Sequence, residues 1–245
     1  MSRKDIIFCM TVEKLCKIGI LALQGAFIEH VKHLEEIISK EDYDCEIKVI
    51  EVRTENELLQ CDALIIPGGE STTMSLVAER TGLLQPLMDF VKSEKPIWGT
   101  CAGLILLARC IENGKSGQKL LGGIDIQVKR NAFGRQLDSF QADLDFSNFI
   151  DLLVTKFPTV FIRAPIISEI TPEATELKPS GDIITSANDY INKAPVEILH
   201  QLDNGFIVAV RQGNKLGTSF HPELSNDYRF HKWFLDEFII KHKVL

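Results

Sequence analysis

Apolar and polar residues are distributed along the chain in two different rhythms. From Lys17 onward the first half shows short apolar runs separated by helix-like stretches. Ile18 to Leu23 is a buried strand by this pattern, and Ile47 to Val52 alternates loosely as a second. Ala63 to Ile66 is a third, stopped by Pro67-Gly68-Gly69, and Pro96 to Trp98 opens a fourth. Between them, Phe27 to Ile38 has helical spacing, with Val31, Leu34, Ile37 and Ile38 on one face. A helix is predicted over Thr72 to Lys92, with a break near Gly82, and another over Ala102 to Ile111. Strands alternating with helices predict a largely parallel sheet covered on both faces.

The second half reads differently. Ile124 to Val128, Thr159 to Ile162, Phe206 to Val210 and Leu216 to Phe220 are strand-like with few helices between them. They predict an antiparallel extension of the sheet. The polar, Pro-containing stretch from Ser168 to Ala194 is expected to be a surface excursion, and Asn113 to Gly117 a flexible loop. Phe230 to Ile240 closes the chain as a helix. No repeat or linker interrupts this pattern. The expectation is one domain over residues 17–245, preceded by an extension of unknown role over residues 1–16.

Composition narrows the classes of function. At 245 residues, 45% hydrophobic and 25% charged, the chain suits a globular α/β domain. A formal net charge of −7, with no Lys/Arg-rich block, argues against nucleic-acid binding. The uncharged run from Pro96 to Ala108 is too short for a membrane span, which needs about 20 residues. The six cysteines (Cys9, Cys16, Cys45, Cys61, Cys101 and Cys110) are dilute, and none forms a C-x-x-C pair. That usage predicts reduced thiols and a cytoplasmic protein.

In parallel α/β sheets, ligands bind beyond the carboxyl ends of the strands. The loops after Leu23, Ile66 and Trp98 should therefore gather at one edge. They carry Gln24-Gly25, Gly68-Gly69-Glu70-Ser71 and Gly99-Thr100-Cys101-Ala102-Gly103. The last has the form of a nucleophile elbow with cysteine as the nucleophile. Cys101 could instead be a small core residue, since free cysteine packs like a hydrophobe. At an elbow, the amide of Ala102 would help to hold an oxyanion. A cysteine nucleophile needs a base. Among six histidines, His221 has the best context, because Ser219-Phe220-His221-Pro222-Glu223 follows a predicted strand. Glu223, two residues on, could orient the ring.

His30 and His33 on the first helix could be a surface pair or weak metal ligands, and with no third or fourth ligand evident a solvated surface is expected; His200 and His231 have no evident context. No metal-ligand set stands out. The Gly68-Gly69-Glu70-Ser71 loop lacks the Gly-Lys-Ser/Thr ending of a phosphate loop. An N–H from its glycine pair suits an oxyanion, and Glu70 suits a substrate ammonium. A plain turn with a helix cap at Ser71 or Thr72 is the alternative use.

Six ordered motifs carry a resemblance: Leu21 to Gly25, Pro67 to Thr73, Gly99 to Gly103, Arg130 to Gln136, Phe161 to Pro165 and Ser219 to Glu223. The cysteine elbow with H-P-E is similar to class I (triad) glutamine amidotransferases. The L-Q-G, R-N-x-F-G-R-Q and F-I-R-A-P blocks more narrowly resemble the glutaminase subunits of pyridoxal 5′-phosphate synthase. The resemblance runs from about Lys17 to the C-terminus. It implies a flavodoxin-like three-layer sandwich and hydrolysis of L-glutamine to glutamate and ammonia, with no cofactor. It implies Cys101, His221 and Glu223 as the triad. It further implies glutamine contacts at Gly69, Glu70, Ser71, Arg130, Ile162 and Arg163. Gly69 and Ala102 would hold the oxyanion, and either Arg130 or Arg163 could hold the substrate carboxylate. The implied partner is the synthase subunit that consumes the ammonia in vitamin B6 synthesis. Alternatives are a glutaminase domain serving another synthase, or a scaffold that kept the fold. The N-terminal sixteen residues, the loop near 114–119 and the stretch near 168–194 exceed the compact pattern of that family.

Overall fold

The computed structural model describes residues 15–130, 139–150, 156–171 and 183–241. Residues 1–14 with Cys9, the block from Asn131 to Gln136, and the middle of the 168–194 stretch lie outside the described residues.

The first half follows the strand–helix alternation. It comprises β1 (Leu15–Leu21), α1 (Phe27–Lys40), β2 (Glu46–Val52), α2 (Glu55–Leu59) and β3 (Ala63–Ile66). Then come α3 (Ser71–Arg80), α4 (Leu84–Lys92), β4 (Ile97–Thr100) and α5 (Ala102–Leu107). The second half contributes β5 (Ala108–Glu112), β6 (Ile124–Lys129), β7 (Ser139–Leu144), β8 (Phe157–Ile162) and β9 (Ile166–Ile170). It ends with β10 (Ile183–Thr185), β11 (Val196–Gln201), β12 (Ile207–Gln212), β13 (Lys215–Thr218) and α6 (Arg229–Phe234). A π-helical stretch over Leu235–Ile240 prolongs α6.

Eleven of these strands form one sheet, in the order β10-β5-β6-β9-β12-β13-β4-β3-β1-β2, with β11 also pairing β12. The run β2-β1-β3-β4-β13 is parallel throughout. It has the doubly wound order of a flavodoxin-like fold, with β13 as its fifth strand. β3 and β4 are buried along their whole length, as strands covered on both faces must be. Beyond β13 the pairing turns antiparallel through β12, β9 and β6. Two apolar cores flank the sheet. Leu58, Met74, Leu87 and Leu104 of α2 to α5 fill one side. Leu34, Ile37, Phe230 and Phe234 of α1 and α6 fill the other, against Trp98 and Phe220. The result is the three-layer α/β sandwich expected from the sequence, with its antiparallel extension.

The structure departs from the sequence-based expectation in several elements. β1 starts at Leu15, so it takes in two residues expected to precede the domain. The predicted helix over Thr72 to Lys92 is two helices, parted at Gly82, whose φ of +75° suits only glycine well. The predicted helix from Ala102 to Ile111 stops at Leu107. The Leu106 and Leu107 carbonyls accept from the Leu121 and Gly123 amides, and Ala108 onward pairs with β6. β8 does not join the large sheet but forms a separate hairpin with β7. The ends of the 168–194 stretch are not a surface excursion. β9 and β10 pair within the sheet, and Asn188 and Tyr190 are buried. Their carbonyls are taken by the buried Arg109 guanidinium, at 2.9 and 2.6 Å. The Asn113–Gly117 loop is anchored just beyond its end, where Gln118 is buried and donates to Ser71 Oγ. Among the described residues, no helix is long and apolar enough to cross a membrane.

Candidate active site

β4 and β13 are parallel neighbours in register, with Thr218 opposite Thr100. The residues that follow each strand therefore emerge side by side at one sheet edge. On β4 the next residue is Cys101, and its N–H donates to the Thr218 carbonyl at 2.8 Å. Past β13 the chain runs through Ser219 and Phe220 to His221, whose N–H donates to Val160 of β8 at 2.8 Å. Strand pairing thus unites side chains more than a hundred positions apart.

Cys101 has φ +49° and ψ −102°, a conformation that is strained for any residue but glycine. This is the sharp strand-to-helix turn expected of G-x-C-x-G. Its two glycines serve close approach. A Cβ on Gly103 would stand 1.9 Å from the Ile66 carbonyl oxygen, and one on Gly99 would stand 2.5 Å from the Gly103 carbonyl. The turn places the Cys101 side chain in a cleft of about 330 Å³, shared with His221.

His221 and Glu223 are both buried, and His221 Nδ1 lies 2.7 Å from Glu223 Oε1. Burial alone would drive the imidazole toward its neutral form. Hydrogen bonding to the Cys101 side chain and to Glu223 outweighs burial and raises the His221 pKa to about 10. Burial likewise opposes ionisation of Glu223, but the facing histidines hold its pKa below the usual carboxylate value. A thiol, an imidazole and a carboxylate thus stand in sequence, the order that acyl transfer through a thiol would use.

The opposite wall is the loop after β3. Glu70 is the N-cap of α3, which corrects the expectation of a cap at Ser71 or Thr72. Its Oε2 accepts from the Thr73 amide at 2.8 Å and the Thr73 hydroxyl at 2.7 Å. Its Oε1 accepts from the Thr72 amide at 3.2 Å and from Arg130 Nη2 at 3.1 Å. Partial burial works against its charge, yet the Thr73 and Thr72 donors lower its pKa to about 2. The Gly68 carbonyl accepts from the Ala26 amide at 3.1 Å. In a trans peptide, N–H opposes C=O, so the Gly69 N–H is directed away from the Gln24–Ala26 loop. Gln24 Oε1 takes the Glu70 amide at 2.8 Å and so fixes the same loop. Ser71 is buried behind it, and Ala102 begins α5 beside the sulfur.

Gly69, Glu70, Ser71, Arg130, Ile162 and Arg163 all line the cleft with Cys101, Ala102 and His221. Glu223 lies behind His221 rather than in the wall. Ile162 and Arg163 stand exposed at the rim, and Arg163 has φ +44°. The sequence reading missed the neighbours of Glu223 on its far side. His30 is not solvated: it is fully buried, as is His231. His30 Nε2 stands 3.4 Å from Glu223 Oε2. The signal was available, because His30, Leu34 and Ile37 form the buried stripe of α1 at helical spacing.

Comparison with known proteins places the chain in a family. Residues 20–240 match the family described as "SNO glutamine amidotransferase family". The chain belongs to that family. It is thus an enzyme of the glutamine amidotransferase class. It is 45% identical over 232 residues to "Pyridoxal 5'-phosphate synthase subunit SNO1" of Saccharomyces cerevisiae, covering 94% of this chain and 96% of that one. It is 40% identical to "Probable pyridoxal 5'-phosphate synthase subunit PDX2" of Arabidopsis thaliana, covering 89% and 84%. A crystal structure described as a glutamine amidotransferase superposes with a TM-score of 0.69 at 37% identity, covering 89% of this chain and 97% of that one.

Proposed function

We propose that this amidotransferase hydrolyses L-glutamine through Cys101, His221 and Glu223, and passes the ammonia to the synthase subunit of a pyridoxal 5′-phosphate synthase. The observation that carries the residue assignment is the convergence of a strained, cleft-lining Cys101 with the buried His221–Glu223 pair. The names of the relatives support the pathway and the partner.

In this reading, His221 and Cys101 form an imidazolium–thiolate pair. The sulfur attacks the side-chain amide carbon of glutamine, and the Gly69 and Ala102 amides hold the oxyanion. Protonated His221 gives its proton to the departing nitrogen, and ammonia leaves. Water, deprotonated by His221, then attacks the thioester carbon. The C–S bond breaks, glutamate departs and the thiolate is restored. Glu223 keeps the imidazole oriented and stabilises its charge in both steps.

The far end of the substrate is a free amino acid, an ammonium next to a carboxylate. The Glu70–Arg130 pair offers the complementary charges side by side. Glutamine can take over both partners, its ammonium on Glu70 and its carboxylate on Arg130. Arg130 suits this role better than Arg163, because it is already directed at Glu70 and partly buried.

The test is glutamate release by the chain alone and when mixed with recombinant synthase subunit. The expected result is turnover in the mixture that Cys101→Ala abolishes. Parental turnover by that variant would overturn the nucleophile assignment.

A further inference from the structure

Glu223 uses only one of its oxygens on His221. The other, Oε2, is buried and has no hydrogen-bond partner among the described residues. His30 Nε2 stands 3.4 Å from it, and also 3.4 Å from Thr100 Oγ1. An ionised, buried carboxylate oxygen without a donor is costly, so a donor at this position matters.

His30 is the inner end of a row of three imidazoles. Its Nδ1 lies 2.8 Å from His231 Nε2, and His231 Nδ1 lies 3.2 Å from His33 Nδ1. His231 is fully buried, with its ring edge-on to Trp98 at 4.9 Å, whereas His33 is half-buried. Their nitrogens face one another, and among the described residues no group of histidine, cysteine or acidic side chains could hold a metal ion. The row is therefore a chain of contacts between rings.

Each contact between two ring nitrogens needs one proton, and each neutral ring carries one. Only two arrangements satisfy both contacts. In the first, His33 donates from Nδ1 to His231, His231 donates from Nε2 to His30, and His30 is left with its proton on Nε2, facing Glu223. In the second, every proton is on the other nitrogen, and His30 presents a bare lone pair to the carboxylate. An ionised Glu223 favours the first arrangement; the Ser225 carbonyl, which accepts from His33, competes with His231 for the His33 proton, and Glu223 carries the full charge that tips the balance. Burial first, and then the neighbouring histidines, lower the pKa of His231 well below its ordinary value. Burial also lowers His30, to about 4, against the opposing pull of Glu223. The rings are therefore neutral near pH 7, as the argument requires.

We propose that His30 is a positioning residue for the triad, donating from Nε2 to the second oxygen of Glu223, with its tautomer coupled through His231 to that of His33. This deepens the glutaminase reading above and rests on it. His30 does not touch substrate. It fixes the rotation and the charge of the carboxylate that fixes His221. The other charged groups facing the row are Glu29 and Glu36 on α1, Asp227 before α6, and His221 itself.

Two measurements test this. The first needs no activity. Long-range nitrogen–proton NMR on the histidine-labelled parental chain at neutral pH should show the proton on Nε2 of His30, Nε2 of His231 and Nδ1 of His33. A bare Nε2 on His30 would overturn the proposal. The second is kinetic, on the chain mixed with synthase subunit. Loss of an outer partner that orients a histidine commonly costs about 10- to 100-fold. His30→Leu should lower kcat by that factor, with KM little changed and the alkaline limb of the pH profile displaced. His30→Gln, which keeps a donor near the Nε2 position, should recover part of the loss. Parental kcat and an unshifted profile in His30→Leu would reject the positioning role. If the parental mixture released no glutamate at all, the glutaminase reading would fail instead, and the NMR result would still decide the tautomers.

Discussion

Two buried polar clusters sit in this sheet, and they are built on opposite rules. Around Arg109 on β5 the charged groups are all paired, and the one unpartnered buried atom beside them among the described residues is the neutral Thr171 Oγ1. Its Nε and Nη2 donate to Asp125 Oδ1 at 3.2 and 2.9 Å, and Nη1 and Nη2 reach the Asn188 and Tyr190 carbonyls. Asp125 in turn accepts from Gln212 Nε2 at 2.8 Å. At the Cys101 edge the backbone is strained, Ser219 Oγ has no hydrogen-bond partner among the described residues, and the nearest donor to Glu223 Oε2, His30 Nε2, stands off at 3.4 Å. A satisfied cluster locks a segment in place, as Arg109 locks the 188–190 stretch onto the core. A cluster with strain and unused donors or acceptors is held there by its surroundings, and such places concentrate at functional sites. The contrast separates a stability element from a reactive one without reference to any known protein.

The largest effect that sharpens this contrast is chemical. Cys101→Ala should cut glutamate release by the assembled complex by at least about a thousand-fold, while its melting temperature stays within a few degrees of parental. A large loss of stability instead would move Cys101 to the structural class. Next comes Glu223→Gln, which keeps the shape and removes the charge. By analogy with triads elsewhere it should lower kcat by roughly a hundred- to ten-thousand-fold.

Glu223→Gln also carries a pH signature. His221 has a raised folded-state pKa, from its ordinary 6.5 to about 10. Its ion pairs therefore stabilise the fold fully below about pH 6.5, and that contribution is lost as the pH rises toward 10. The stability difference between the parental chain and Glu223→Gln should shrink over that window in chemical denaturation. A difference that stays constant from pH 6 to 10 would contradict the raised value.

The Arg109 cluster should respond in the opposite way. Arg109→Met leaves Asp125 and two carbonyls without their partner and should cost about 3 kcal/mol of stability. Glutaminase kinetics per folded molecule should not change. The smallest structural effect belongs to the Arg130–Glu70 pair, which is partly exposed. Arg130→Ala should shift stability by less than about 1 kcal/mol. If Arg130 takes the substrate carboxylate, losing a charge-assisted bond of about 1.5–3 kcal/mol should raise KM by roughly ten- to a hundred-fold, with kcat nearly kept. An unchanged KM would return the carboxylate to Arg163.

How much of this was legible in the sequence differs between the two clusters. The parallel half announces itself, because its strands are buried on both faces and read as apolar runs, and its loops carry the chemistry at one edge. Cys101, His221 and Glu223 could be paired because Gly-x-Cys-x-Gly and His-Pro-Glu each follow such a run. The Arg109 cluster was not legible, since nothing in a polar, Pro-containing stretch says that its carbonyls are claimed by a guanidinium about eighty positions earlier. The helix expected past Leu107 failed for a similar reason. Ala108 to Glu112 has no strong local preference, and pairing with β6 decides it. His30 failed differently. It lies at the i position of the buried i, i+4, i+7 stripe of α1, but a polar ring on an apolar stripe invites a surface reading until its partners on α6 and beyond β13 are known.

The central claim is that Cys101 is the residue that becomes covalently linked to the substrate carbon. The direct measurement is peptide mapping by mass spectrometry, after the chain, mixed with synthase subunit, is treated with a diazoketone glutamine analogue that alkylates an attacking thiol. The account predicts one adduct, on the peptide bearing Cys101, formed at a rate that Glu223→Gln depresses and excess glutamine suppresses. An adduct on Cys61 or Cys110, with Cys101 unmodified while the complex consumes glutamine, would contradict it.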